Sequence, residues 1–243
     1  EVLPLKLGPR LMRVSLLHPL FQPSSVKGVL FDFHSTLVDQ GSSESWLEIA
    51  CESVGLDPIE FAQMVPKLNS IVEFARIEDP HHERDLSPAA HKEIFTRLLL
   101  DFSDQPLASA LYSSITDPWF VYADTFPVLD ALRTQGITTA IISNIALDLE
   151  PILRRLGISE CVDYAFTSAE LGYVKPNPEI FFAVCEAIDI APEHLLMVGD
   201  NAIDDGGAGT VGMRTLILPR TSGPIHGLAT VLGVVAGSKT LDA

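Results

Sequence analysis

Four short apolar runs, each closed by polar residues, set the limits on what this chain can fold into. VKGVLF (26–31), ITTAIIS (137–143), LLMVGD (195–200) and TLILP (215–219) are aliphatic or β-branched and fit buried parallel strands. YAFTS (164–168) reads as one more strand. Between them lie helical segments: PVLDALRTQ (127–135) ended by Gly136, Leu147 to Leu156 stopped by Gly157, and Pro178 to Ile188. Strands alternating with helices predict an α/β fold with a parallel sheet covered on both faces. Such sheets bind ligands beyond the carboxyl ends of their strands, so the residues just after the apolar runs carry the functional weight.

One stretch departs from this pattern. Residues 41–118 show long amphipathic segments and no strand-like alternation. SSESWLEIACESVGL offers Ser N-caps and places Trp46, Leu47, Ala50 and Val54 at helical spacing. SPAAHKEIFTRLLLDF opens with Ser87-Pro88 and sets Ile94, Leu98 and Phe102 on one face. The expected organisation is an α/β core, 26–40 and 119–243, with a helical cap inserted over 41–118 and an N-terminal extension over 1–25. Phe61, Phe74 and Phe95 are expected to form the cap's own core, with Trp46 and Trp119 as packing anchors near its hinges. The apolar run LATVLGVVAG is expected to be a packed helix.

Charge and hydropathy narrow the function classes. The 243 residues carry 16 Lys and Arg against 32 Asp and Glu, a net charge of −16, which argues against nucleic acid as a partner. A mean hydropathy of +0.27 supports a sizeable core, yet no apolar run approaches the ~18 to 20 residues of a membrane helix. Pro and Arg interrupt every apolar run in residues 1–25, where a signal peptide would need ~7 to 15 unbroken apolar residues. Cys51, Cys161 and Cys185 are too few and too widely spaced for a disulfide framework or a zinc site. A cytoplasmic monomer or homodimer is the expectation.

The strand ends carry a coherent set. FDFHSTLVD puts Asp32 at the tip of the first strand, with Ser35 and Thr36 in the turn; IISN presents Ser143 and Asn144. GYVKPNPEIF holds Lys175 between a strand end and two prolines, and VGDNAIDDGGAGTVGM presents Asp200 with Asp204 and Asp205 one turn on. A carboxylate can attack phosphorus if it is oriented and the phosphoryl charge is neutralised. Lys175 could orient Asp32, and Mg²⁺ held by Asp32 and Asp200 could neutralise the charge. Ser143 and Asn144 could donate hydrogen bonds to phosphoryl oxygens. GGAG (206–209) lacks the Lys and Ser/Thr of a P-loop and reads as tight helix packing.

In order, spacing and strand position, this set resembles the haloacid dehalogenase superfamily, most of whose members are Mg²⁺-dependent phosphatases working through an aspartyl-phosphate. The resemblance covers about residues 26–218 and implies a Rossmann-like core with a helical cap that selects substrate. It implies Asp32 as nucleophile, Ser143 as phosphate ligand, Lys175 as orienting cation and Asp200 as metal ligand, with the backbone carbonyl of His34 as a further ligand. For the last acidic position Asp204 is in register with the family pattern, and Asp205 takes its place if the turn is one residue longer. The implied substrate is a small phosphorylated metabolite.

His34 departs from the pattern, since most phosphatases of the superfamily carry there a second Asp that acts as general acid and base. Three readings are open. Imidazole replaces the carboxylate, with a pKa raised by neighbouring carboxylates. The chemistry is that of the 2-haloacid dehalogenases or phosphonatases, which also lack this Asp, and Asn201 and Asp204 match the dehalogenase turn. Or the chain is a non-catalytic binding protein. Asp200 speaks against dehalogenation, because without a cation it would repel the Asp32 anion. His81 and His82, beside Asp79, Glu83 and Asp85, are expected to sit in a solvated loop.

Overall fold

A computed structural model describes residues 25–221 and 223–239. The extension expected over 1–25 lies, but for Ser25, outside the described residues. In chain order the elements begin with β1 (Gly28–Phe31), β2 (Val38–Asp39), α1 (Ser43–Ser53), α2 (Val65–Asn69), α3 (Ile71–Glu78), α4 (Glu83–Leu86), α5 (Pro88–Leu100) and α6 (Gln105–Ser113). They continue with β3 (Phe120–Val121), α7 (Thr125–Thr134), β4 (Thr138–Ser143), α8 (Leu149–Arg155), β5 (Tyr164–Thr167), α9 (Ser168–Leu171) and α10 (Pro178–Ile188). The last are β6 (Leu195–Gly199), β7 (Arg214–Ile217) and α11 (Ala229–Lys239).

The five long strands form one parallel sheet in the order β5-β4-β1-β6-β7. The chain winds outward from β1 through β4 to β5, then returns to the other side of β1 for β6 and β7. That reversal opens a crevice at the carboxyl end of β1. Alternation along β1 explains why both faces are covered. Val29 and Phe31 join Ile141, Leu196 and Val198 in a core beneath α7, α8 and α11, while Leu30 joins Ala140, Ile142 and Met197 beneath α10. Leu228, Val231 and Val235 bring the C-terminal helix onto the first of these cores.

A separate apolar core lies within residues 46–111, where Leu47, Leu99, Leu107 and Leu111 are almost fully buried. Burying a leucine contributes ~1.5 to 3 kcal/mol. Helices of four to thirteen residues are marginal alone, so this packing holds them. Caps fix their starts: Ser42, Ser87 and Asp104 accept hydrogen bonds from the first-turn amides of α1, α5 and α6. Trp46 donates Nε1–H to the Leu111 carbonyl at 2.9 Å. Phe95 is buried in this core, but Phe74 is 41% exposed and does not join it as expected. The chain leaves β1 and returns to α7 through a two-stranded antiparallel ribbon, β2 with β3. Two residues per strand are too few for any periodicity, and sequence reading passed over it. No helix among the described residues is long and apolar enough to cross a membrane.

Candidate active site

Asp32 is the first residue past β1, and its amide donates to the Val198 carbonyl at 2.8 Å, continuing the ladder to β6. The chain then turns tightly. Ser35 takes a positive φ of 64°, and the Phe33 carbonyl accepts from the amides of Leu37 and Val38 at 3.0 and 3.1 Å. This turn brings Thr36 Oγ1 to 3.3 Å from Asp32 Oδ2. The other oxygen, Oδ1, accepts from Lys175 Nζ at 2.7 Å. Oδ2 therefore keeps lone-pair capacity for an incoming group.

Lys175 is 1% exposed, and all three of its protons are used. Nζ donates to Asp32 Oδ1 at 2.7 Å, Asp205 Oδ1 at 2.7 Å and the Ile142 carbonyl at 2.9 Å. Burial alone would lower its pKa, but the two carboxylates outweigh that and hold it protonated. One ammonium for two buried acids is not enough. Burial lifts both Asp32 and Asp205 above the usual carboxylate range, with Lys175 pulling against it. Asn144, expected to face the substrate, is spent on positioning this lysine: its Nδ2–H₂ donates to the Lys175 carbonyl at 2.9 Å and its Oδ1 accepts from the Lys175 amide at 2.7 Å. Ser143, buried at the tip of β4, lines the cavity above.

At the last acidic position the structure takes the second of the two expected alternatives. Asp205, not Asp204, joins Asp32 and Asp200, whose carboxylate oxygens all lie within 4.8 Å of one another. The turn is one residue longer than the family register. Asn201 staples it, its Oδ1 accepting from the amides of Ile203 and Asp204 and its Nδ2–H₂ donating to Asp204 Oδ2 at 2.6 Å. Asp205 folds back beneath β6, where its Oδ2 accepts from the Asn201 amide at 2.9 Å. A Cβ at Gly199 would fall 2.0 Å from that oxygen, so glycine there is a condition of the arrangement. Gly207, in the 3₁₀ turn Gly206–Val211, makes similar room for Pro176. Asp200, its side chain almost fully covered, pairs with Arg220, a residue that sequence reading missed. The trio is a hard-oxygen donor set with surplus negative charge, and it fits Mg²⁺, which favours a few carboxylates supplemented by water and phosphate oxygens.

His34 stacks on Trp119 with ring centroids 4.7 Å apart, and its buried Nε2 has no hydrogen-bond partner among the described residues. The expected rise in its pKa does not occur. Burial, assisted by the charges of Arg220 and Arg76, lowers it to about 4. Above these residues a cavity of about 550 Å³ runs from the strand ends into the helical layer. A cleft of about 610 Å³ between α6 and α8 is lined by none of the strand-end residues. The segment around His82 is only in part the solvated loop expected: His81 and Glu83 are exposed, but Asp79 and Asp85 are buried. Arg84 lies buried between Asp79 and Asp85, at 3.3 and 2.9 Å. The Asp85 carbonyl accepts from Ser168 of α9, which ties α4 to the sheet layer.

Comparison with known proteins decides the relationship. The haloacid dehalogenase-like hydrolase family model matches residues 26–212. The chain belongs to that family. The chain is 35% identical over 104 residues to (S)-2-haloacid dehalogenase 1 of Pseudomonas sp. (strain CBS-3), covering 42% of this chain and 46% of that protein. It spans about half the length of that relative and of several others. It is 28% identical over 201 residues to glyceraldehyde 3-phosphate phosphatase of Methanopyrus kandleri, covering 80% of this chain and 84% of that one. A dehalogenase crystal structure superposes with a TM-score of 0.65 at 22% identity, covering 87% of this chain and 98% of the other, a likeness of fold. The chain thus has both phosphatases and dehalogenases among its relatives.

Proposed function

We propose that this hydrolase is a cytoplasmic, Mg²⁺-dependent phosphatase of a small phosphorylated metabolite, acting through an aspartyl-phosphate at Asp32. The observation that carries the reading is the trio Asp32, Asp200 and Asp205, two of whose members share the single ammonium of Lys175. Two buried carboxylates sharing one ammonium favour a second cation, and a trio built only for structure would do better neutral. Asp32, Asp200 and Asp205, with the His34 carbonyl, would hold Mg²⁺, which when bound supplies positive charge opposite the phosphoryl oxygens.

Each remaining step falls to the chain's own groups. Lys175 orients Asp32 by occupying Oδ1, and Oδ2 attacks phosphorus as the ester P–O bond breaks, the leaving oxygen taking a proton from solvent to depart as the alcohol. The Ser143 hydroxyl donates to a phosphoryl oxygen. Water then attacks phosphorus, His34 Nε2 accepts its proton, and the P–O bond to Asp32 breaks to regenerate the carboxylate. The test is hydrolysis of p-nitrophenyl phosphate with Mg²⁺ and with EDTA. Mg²⁺-dependent release of p-nitrophenol is expected, and release unaffected by EDTA would overturn the metal requirement.

A second reading has its own support. Arg220 already neutralises Asp200 without any metal, which removes the electrostatic objection to dehalogenation. In that chemistry Asp32 would displace halide from the carbon of a 2-haloacid, and water would cleave the resulting ester. Halide release in EDTA, with no phosphate ester turned over, would select it.

A further inference from the structure

Three arginines line the 550 Å³ cavity, and two of them are committed. Arg84 is buried against Asp79 and Asp85, and Arg220 pairs with Asp200. Arg76, on α3 of the helical layer, is different. Its nearest acid is Glu73, one turn back on the same helix, with Nη1 to Oε2 at 3.9 Å, too long for a hydrogen bond. Its side chain is 45% exposed, so the guanidinium keeps its donors for a solute entering the cavity. Its positive charge is nonetheless felt at His34 and Asp204 on the floor.

The other acids facing the cavity are already engaged. Asp39 accepts from Tyr122 Oη and the Gly41 amide, Asp85 pairs with Arg84 and His82, and Asp204 accepts from Asn201. Trp46, Leu68, Ile71 and Phe95 give the lining an apolar wall beside the polar Ser42, Ser43 and Asn69. A ligand suited to this space has an anionic group at the floor, a short carbon skeleton along the apolar wall, and a second anion under the roof. A guanidinium matches a carboxylate through paired hydrogen bonds.

We infer that Arg76 is a specificity residue that reads a carboxylate at the end of the substrate remote from the phosphate, so that the preferred substrates are small phosphorylated acids rather than neutral phosphate esters. This rests on the phosphatase reading for the phosphate end alone; the carboxylate subsite stands on the charge inventory of the cavity.

Two matched pairs of esters test it: 2-phosphoglycolate against ethyl phosphate, and 3-phosphoglycerate against glycerol 3-phosphate. Within each pair the phosphate is kept and the carboxylate is removed. Wild type should favour the acid of at least one pair by about tenfold or more in kcat/KM, the scale of a hydrogen bond to a charged group. Arg76→Gln should raise KM for that acid by about tenfold, leave kcat within about twofold, and leave the neutral ester unchanged. Arg76→Lys should recover part of the loss. No wild-type preference for the acid in either pair, or an Arg76→Gln effect of the same size on acid and neutral ester, would overturn the inference while leaving the phosphatase reading intact. If no ester is hydrolysed, the phosphatase reading has failed, and calorimetric binding of the same pairs decides the subsite. Discrimination that Arg76→Gln removes supports it, and equal binding overturns it.

Discussion

The floor and the roof of the cavity use the same kinds of charge in opposite ways. On the floor Lys175 is 1% exposed and spends every proton on a fixed acceptor, and Gly199, packed directly against the Asp205 carboxylate, leaves it no latitude. On the roof Arg76 is loosely held on an eight-residue helix and half open to solvent. The contrast follows from what each region does. Stabilising charge that develops in a reaction needs groups already in place, because reorganisation at that moment costs the stabilisation they would give. Choosing among substrates needs a group that can move to meet the ligand. Rigidity sits where strands end, and adaptability sits on short helices.

Substitutions on the floor should break the contrast most severely. Asp32→Asn should lower turnover by about 10³-fold or more while the circular dichroism spectrum stays that of wild type. Activity left intact would remove Asp32 as the nucleophile. Lys175→Met would leave Asp32 and Asp205 buried without their counter-charge, and urea denaturation should register a loss of about 3–5 kcal/mol. Gly199→Ala forces a methyl into the space of the Asp205 carboxylate, and about 3 kcal/mol is expected, the upper end for overpacking. Arg76→Gln, in contrast, should alter stability by no more than about 0.5 kcal/mol in the same urea experiment. A large loss there would erase the distinction between the two regions.

A smaller effect concerns the interior of the roof. His91 is buried against Phe95, with Nδ1 3.0 Å from Tyr112 Oη, and burial, aided by Arg84, lowers its pKa to about 4. The unfolded chain takes up this proton near the ordinary value of 6.5, so stability is complete above about pH 6.5 and declines as pH falls towards 4. Between pH 7 and 5 the loss at this site should be about 2 kcal/mol. His91→Phe should remove that share of the slope and leave the share due to His34, and an unchanged slope would place the acid sensitivity elsewhere.

The sheet and the floor were largely legible in the sequence because strand ends announce themselves. An apolar run that stops at Asp32, Ser143 or Asp200 marks the residue and its place together. Asp205 was harder. The turn holding it is set by side-chain to backbone hydrogen bonds from Asn201, which spacing alone does not count, and Gly199 was the signal that a bulky group lies beneath the strand. Asn144 was picked out for the right position and the wrong partner, since nothing in a strand-end Asn tells whether it faces a ligand or the backbone of Lys175. The roof was nearly opaque. Arg76, Arg84 and Arg220 are single charges in segments without a motif, and what separates them is whether an acid from another turn or element reaches them. That depends on tertiary packing. The acidic residues around His82 were read as solvated for the same reason, although Arg84 buries two of them.

The most direct test of the floor is a calorimetric titration of Mg²⁺ into wild type, Asp205→Asn and Asp204→Asn. Wild type and Asp204→Asn should bind the ion with similar affinity, and Asp205→Asn should lose at least about tenfold, the effect of removing one charged ligand. Undiminished binding in Asp205→Asn, or no binding by wild type, would contradict a cation site built on Asp32, Asp200 and Asp205.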